Sequence, residues 1–193
     1  MWKSALYLYL VFLPVFCSAQ VDGLSERVHS VVDSSHEENV VLIQSFEVEA
    51  PAEAVWRAYT TKEGMESWAA PVAEVELKIN GWIKTSYNKD ATIGDSSTIT
   101  LNIINFVPGR MLTLQAELTG NFPQFMQDDQ KDLFNTVLFE SVGPGRTEVT
   151  SYGIGYKKNE KYMPLLKFFI IGNEKSYQNL IQYLETGEPS IKY

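Results

Sequence analysis

Cysteine and histidine are nearly absent from this 193-residue chain: Cys17, His29 and His36 are the whole complement. All three precede Val40, where sustained strand and helix patterning begins. Beyond residue 17 there is no thiol nucleophile, thiolate metal site or disulfide framework. The patterned region also lacks the histidine that a Ser-His-Asp triad or a histidine-rich zinc site requires. Basic clusters are lacking too. Lysine and arginine number 16 against 24 aspartates and glutamates, a formal charge of −8, and the charges are dispersed. Nucleic-acid binding is dominated by phosphate neutralisation, so a nucleic-acid partner is not expected. No glycine-rich phosphate loop precedes a helix, and no dinucleotide fingerprint is present. Asp128, Asp129 and Asp132 come nearest to a carboxylate cluster. They read as solvated charges before a strand, because hard cations need more converging oxygens. No cofactor and no metal are expected.

Long apolar runs are also scarce, and the single one is at the start. Met1-Trp2-Lys3 is a short basic opening, Ala5 to Phe16 is almost unbroken apolar sequence, and Cys17-Ser18-Ala19 ends in small residues. This is the pattern of a secretory signal peptide cleaved after Ala19. The run is short for a bilayer span, which takes roughly 20 apolar residues. The alternative is an uncleaved anchor. The expected organisation is a signal peptide over residues 1–19, a leader over 20–39, one domain over 40–187 and a tail over 188–193. The expected location is periplasmic or secreted, with no stable membrane span after cleavage.

What is present is ordered patterning. In the leader, Leu24, Val28, Val31 and Val32 have the spacing of a short amphipathic helix. Val40 to Glu49 reads as a strand. Pro51 suits a helix start, and Ala52, Val55, Trp56 and Tyr59 fall on one helical face. Thr60 and Glu63 have capping-box spacing for a second short helix, carrying Met65 and Trp68 and ended by Pro71. Alternation from Ala73 to Ile79, then Asn80-Gly81, then Trp82 to Tyr87 predicts a hairpin. Further strands are expected over 97–106, 110–118, 133–142 and 146–156, with turns at Val107-Pro108-Gly109 and Gly143-Pro144-Gly145. Gly153 and Gly155 lie on one face of the last strand, where missing side chains allow close approach. A long helix pattern over 158–186 closes at Gly187 and Pro189. The fold class is α+β: a curved antiparallel sheet of about six strands, two short helices after the first strand, and a long C-terminal helix covering the sheet's apolar face.

This order resembles the helix-grip fold of the START-like or SRPBCC superfamily, and within it the bacterial proteins similar to the C-terminal domain of the Hsp90 ATPase activator. The residues that carry the resemblance are Pro51 to Trp56, Trp68, Pro71, Asn80-Gly81, Phe106 to Arg110, Gly145 to Thr150, and Leu180 to Glu185. Asn80 replaces one glycine of a common pair, and Tyr177 stands where the family often has tryptophan. The resemblance implies a lined cavity, and with it a hydrophobic or lipid-like small-molecule partner. The export signal argues against a role on cytosolic Hsp90.

The residues expected to form the ligand site are Trp68, Tyr87, Leu101, Leu114, Phe125, Val137, Phe139, Phe169 and Asn173, with Phe122, Phe125 and Met126 as a lid. Candidate acid–base groups are Glu140, Tyr87, Tyr152 and Tyr162, none distinguished by its spacing. An exported binding protein is the leading reading. A cyclase- or hydrolase-like enzyme and a protein-interaction module remain open alternatives.

Overall fold

The computed structural model describes residues 18–20, 25–120 and 122–191. The signal-peptide reading therefore falls, up to residue 17, outside the described residues, as does Leu24 of the leader. Among the described residues nine strands form one antiparallel sheet in the order β1-β2-β3-β9-β8-β7-β6-β5-β4. They are β1 (Ser18–Gln20), β2 (His29–Asp33), β3 (Asn39–Val48), β4 (Val72–Glu76), β5 (Trp82–Ser86), β6 (Ile99–Val107), β7 (Met111–Ala116), β8 (Phe134–Gly143) and β9 (Arg146–Lys157). The helices are α1 (Ala52–Thr60), α2 (Lys62–Trp68), α3 (Gln124–Asp129) and α4 (Tyr162–Thr186).

The sheet is larger than the six or so strands expected, mainly because the leader joins it. Residues 29–33 form a strand, not an amphipathic helix, and pair with β3 from His29↔Ser45 to Asp33↔Val41. Ser30 and Val32 point inward and their neighbours outward, so the same residues that allow a helical reading satisfy a period of two. The sheet offered β2 a row of open backbone partners along β3, and that decided between the two.

The opening helices follow their pattern with one shift. Val55, Trp56 and Tyr59 are buried. The cap of α2 is Thr61, whose hydroxyl accepts from the Gly64 amide at 3.0 Å. Thr60 stays in the last turn of α1, and its hydroxyl donates to the Trp56 carbonyl at 2.7 Å. The indole of Trp68 donates to the Ala58 carbonyl at 3.0 Å and so pins α2 on α1.

The β4–β5 hairpin exists, but β4 stops at Glu76 and the loop runs from Leu77 to Gly81. Asn80 takes a φ of 62°. Gly81 is needed because a Cβ there would lie 2.1 Å from the Glu76 carbonyl oxygen. In β9, a Cβ on Gly155 would lie 1.8 Å from the Asp132 carbonyl oxygen, so the missing side chain admits the short 3-10 turn Gln130–Asp132. Gly153 instead lies under the ring of Tyr156.

Helix α4 begins at Tyr162, where the Asn159 side chain accepts from the Lys161 and Tyr162 amides. It runs through Gly172 as one element. Gly187, at φ 76°, ends it by donating to the Tyr183 carbonyl. The C-terminal half of α4, through Tyr177, Leu180 and Ile181, shares a core with α1, α2 and the sheet. Its N-terminal half packs Leu166 and Ile170 on Val32, Val40 and Leu42. No described helix is long and apolar enough to cross a membrane.

Candidate functional site

Two ends of the sheet's inner face are filled differently. At the α1 end the core is closed by aromatic packing: Phe139 lies 5.9 Å from Trp56 and 5.3 Å from Tyr59, ring centre to ring centre. At the other end, between the sheet, α3 and the first half of α4, packing is incomplete and leaves a cavity of about 280 Å³. That volume sits at the small edge of the ~300–1,000 Å³ typical of ligand pockets.

Its floor is Leu101 of β6, Leu114 and Ala116 of β7, and Phe134 and Asn135 of β8. One wall is Tyr156 of β9 with Phe169, Asn173 and Tyr177 of α4. Leu118, Phe122, Met126 and Leu133 complete the lining. Among the described residues the hydrogen-bonding side chains on this surface are Asn135, Asn173, Tyr156 and Tyr177, and no described Asp, Glu, Lys, Arg or His lines it.

These polar groups are held from behind. The Asn135 amide donates to the Ser151 hydroxyl at 2.8 Å. The Asn173 amide donates to Gln44 Oε1 at 2.8 Å, Gln44 Nε2 donates to Ser30 Oγ at 3.0 Å, and Ser30 Oγ donates to Glu174 Oε1 at 2.6 Å. This buried chain joins the cavity wall to β3 and β2 and returns to α4 at Glu174. Buried polar groups must be paired, and a linked set fixes their orientation. Burial, and then the neighbouring Tyr177, pushes the Tyr156 phenol up to about 12. Burial also raises Tyr177, with a hydrogen bond to Ser151 partly offsetting it. Both phenols are neutral hydrogen-bonding groups at ordinary pH.

Of the nine residues expected at the site, Leu101, Leu114, Phe169 and Asn173 line this cavity. Phe125 lies beside it on α3, its ring 5.1 Å from Tyr162 and edge-on, while Phe122 and Met126 of the expected lid are part of the lining. Val137 and Phe139 do not line the cavity. They continue the inward series of Leu133, just before β8, and Asn135, but lie further along, in the closed core under α1. Trp68 belongs to that same core, packed 5.0 Å from Tyr59. Tyr87 lies past the end of β5 and is 71% exposed. The acid–base candidates Glu140, Tyr87, Tyr152 and Tyr162 are all outside the lining. Tyr162 donates instead to Asp129 Oδ2 at 2.9 Å.

Sequence reasoning passed over Asn135, Tyr156 and the role of Tyr177. Asn135 had a signal: it is the one polar side chain in the inward series Leu133, Asn135, Val137, Phe139. Gln44 had the same signal among Val40, Leu42, Phe46 and Val48. Among the described residues no group of three or more metal-ligating side chains converges.

A long helix gripped by an antiparallel sheet, with a cavity at one end of the interface, defines an SRPBCC-type domain of the helix-grip class. The chain belongs to the family described as Activator of Hsp90 ATPase homolog 1-like protein, whose profile matches residues 49–185. Solved structures agree on the fold. SSP2350 from Staphylococcus saprophyticus is 19% identical with a TM-score of 0.58, covering 77% of this chain and 94% of that one. The Aha1 dimer from Colwellia psychrerythraea is 16% identical with a TM-score of 0.58, covering 76% and 97%. PFC0360w, an HSP90 activator from Plasmodium falciparum, is 19% identical with a TM-score of 0.51, covering 77% and 97%. No curated protein matches the chain in sequence.

Proposed function

We propose that this protein is an exported carrier for a small, uncharged, largely apolar molecule bearing one or two hydrogen-bonding groups. The observation that carries the reading is the composition of the cavity surface: apolar and aromatic walls with Asn135, Asn173, Tyr156 and Tyr177, and no ionised side chain among the described residues. A charged ligand entering such a site would be desolvated without a counter-charge, an unfavourable exchange of several kcal/mol. A hydroxyl or carbonyl finds amide and phenol partners already oriented. Phenols kept protonated by burial donate hydrogen bonds and make poor bases, which favours binding over the enzymatic alternative. Export is the reading of the apolar run over residues 5–16.

The test uses two reporter dyes. N-phenyl-1-naphthylamine is neutral, and 8-anilinonaphthalene-1-sulfonate is of similar shape but anionic. The neutral dye is expected to bind and brighten, to be excluded by Leu114→Trp, and to bind much more tightly than the sulfonate. Mass spectrometry of the protein after incubation with a lipid extract should recover neutral amphiphiles. Equal affinity for both dyes, unaffected by Leu114→Trp, would count decisively against the proposal.

A further inference from the structure

The solvent face of α4 is unlike the rest of the surface. Lys161, Pro164, Phe168, Ile171 and Lys175 recur at intervals of three and four, so they lie along one stripe of the helix. Phe168 is 67% exposed and Ile171 41% exposed. Lys167 flanks the stripe, and from Lys161 to Asn173 no acidic residue occurs in a chain of formal charge −8. Glu174, the first acid to follow, is fully buried and takes the Ser30 hydroxyl. Lys161, Lys167 and Lys175 take part in no ion pair among the described residues; the pairs there use Arg27, Arg57, Lys62, Lys78, Arg146 and Lys157. Lys161 lies over the Phe125 ring, 5.8 Å from its centre, and keeps its charge without a carboxylate partner among the described residues. An exposed aromatic and a branched aliphatic between lysines free of ion pairs is the composition of a helix that lies on an anionic bilayer, with apolar side chains in the acyl boundary and lysines among phosphates. A protein partner would be expected to bury a broader face than a stripe two side chains wide.

We propose that this face of α4 docks on anionic phospholipid membranes. Charge complementarity selects the occupant: the lysines gain from a negative surface, while the dispersed acids elsewhere on the molecule are repelled and so orient the protein. The Phe168 ring lies 5.7 Å from Phe169, edge-on, and Phe169 forms part of the cavity wall. Docking therefore brings the cavity's α4 side to the lipid surface. Only this last link, between docking and ligand exchange, rests on the carrier reading; the docking surface stands without it.

The experiment is co-sedimentation of the purified full chain, its N-terminus read by mass spectrometry, with phosphatidylcholine vesicles and with equimolar phosphatidylcholine and phosphatidylglycerol. The apolar run at residues 5–16 is common to every variant, so charge-dependent differences report on α4. Binding should rise with phosphatidylglycerol and fall with salt. K161Q/K167Q/K175Q should lower it on the order of a hundred-fold at low salt, about five-fold per lysine. Phe168→Ser should remove the part that survives high salt. Thermal unfolding and neutral-dye binding should be unchanged in both variants, which separates failure here from failure of the carrier reading. Equal sedimentation with the two vesicle types, or no loss in the lysine variant, would overturn the proposal. So would a dimer in sedimentation equilibrium that Phe168→Ser splits, because a second copy would then be what covers the face.

Discussion

At the scale of single residues, most buried polar atoms in the described structure have partners, and one does not. The Tyr59 hydroxyl is buried without a hydrogen-bond partner among the described residues. Burial, and then nearby Tyr177, raises its pKa well above the ordinary phenol value, so the group stays neutral. An orphaned buried hydroxyl costs about 1–3 kcal/mol, and removing it while keeping the ring recovers part of that. Tyr59→Phe is therefore expected to stabilise the protein by about 1 kcal/mol, a rise of roughly 2–4 °C in Tm for a chain of this size. Differential scanning calorimetry measures it, and a fall in Tm would show that the hydroxyl has a partner in solution. Residue types were well read from the sequence at the inward positions of β6 and β7, where alternation identifies Leu101 and Leu114. Val137 and Phe139 show the limit. Period-two patterning assigns a face of a strand but not which end of it another helix covers. α1 seals their end, and Leu133 and Asn135 remain at the open one.

At the scale of elements, α3 is a six-residue helix beside the cavity, held by buried Met126 and by its last residue. Its last residue, Asp129, pairs with Lys157 of β9 and accepts from Tyr162 at the start of α4 at 2.9 Å. The Lys157 hydrogen bond first, and the Tyr162 hydrogen bond after the opposing effect of desolvation, hold the Asp129 carboxyl below its usual range. A carboxylate with a depressed folded-state pKa stabilises above its unfolded value, near ~3.9, and loses that contribution as pH falls through the folded value. The clasp should thus be intact at neutral pH and open only in acid below the ordinary aspartate range. Asp129→Asn is expected to loosen it at neutral pH. Hydrogen exchange over residues 124–130 should speed up several-fold in the variant at pH 7, with Tm changed little because Lys157 is half exposed and the new amide still offers Tyr162 an acceptor. Unaltered exchange would remove α3 from the role of a movable lid. The aspartates were legible in the sequence as charges near a strand. Their separate roles were not, because Lys157 and Tyr162 come from elements 28 and 33 residues away.

At the scale of the whole molecule, the sheet extends past the expected domain boundary. β2 carries Ser30, which joins Gln44, Asn173 and Glu174, and Val32, which packs on Leu166 and Ile170. Arg27 adds a 2.8 Å ion pair to Glu185. A chain starting at residue 34 would leave Gln44 lacking a buried partner and expose the edge of β3. It is expected to lose about 3–5 kcal/mol, from the unpaired polar groups and the lost Val28 and Val32 burial. Urea denaturation against the longer chain checks this, and equal midpoints would show that β2 adds nothing to stability.

The sequence by itself determined the order of helices and strands from residue 40 onward, α3 apart, the exclusion of thiol and histidine chemistry from the patterned region, the inward faces of the central strands and the stop of α4 at Gly187. These are local properties, set by side-chain periodicity, turn stereochemistry and composition. Tertiary structure alone decided that the leader becomes a strand, that Thr61 rather than Thr60 caps α2, and that the cavity lies at the α3 end with Asn135, Tyr156 and Tyr177 on its surface. Each of these depends on which partner a segment meets across the fold. An alternating pattern states that a side chain is covered; only the packed molecule states by what, and where the covering stops.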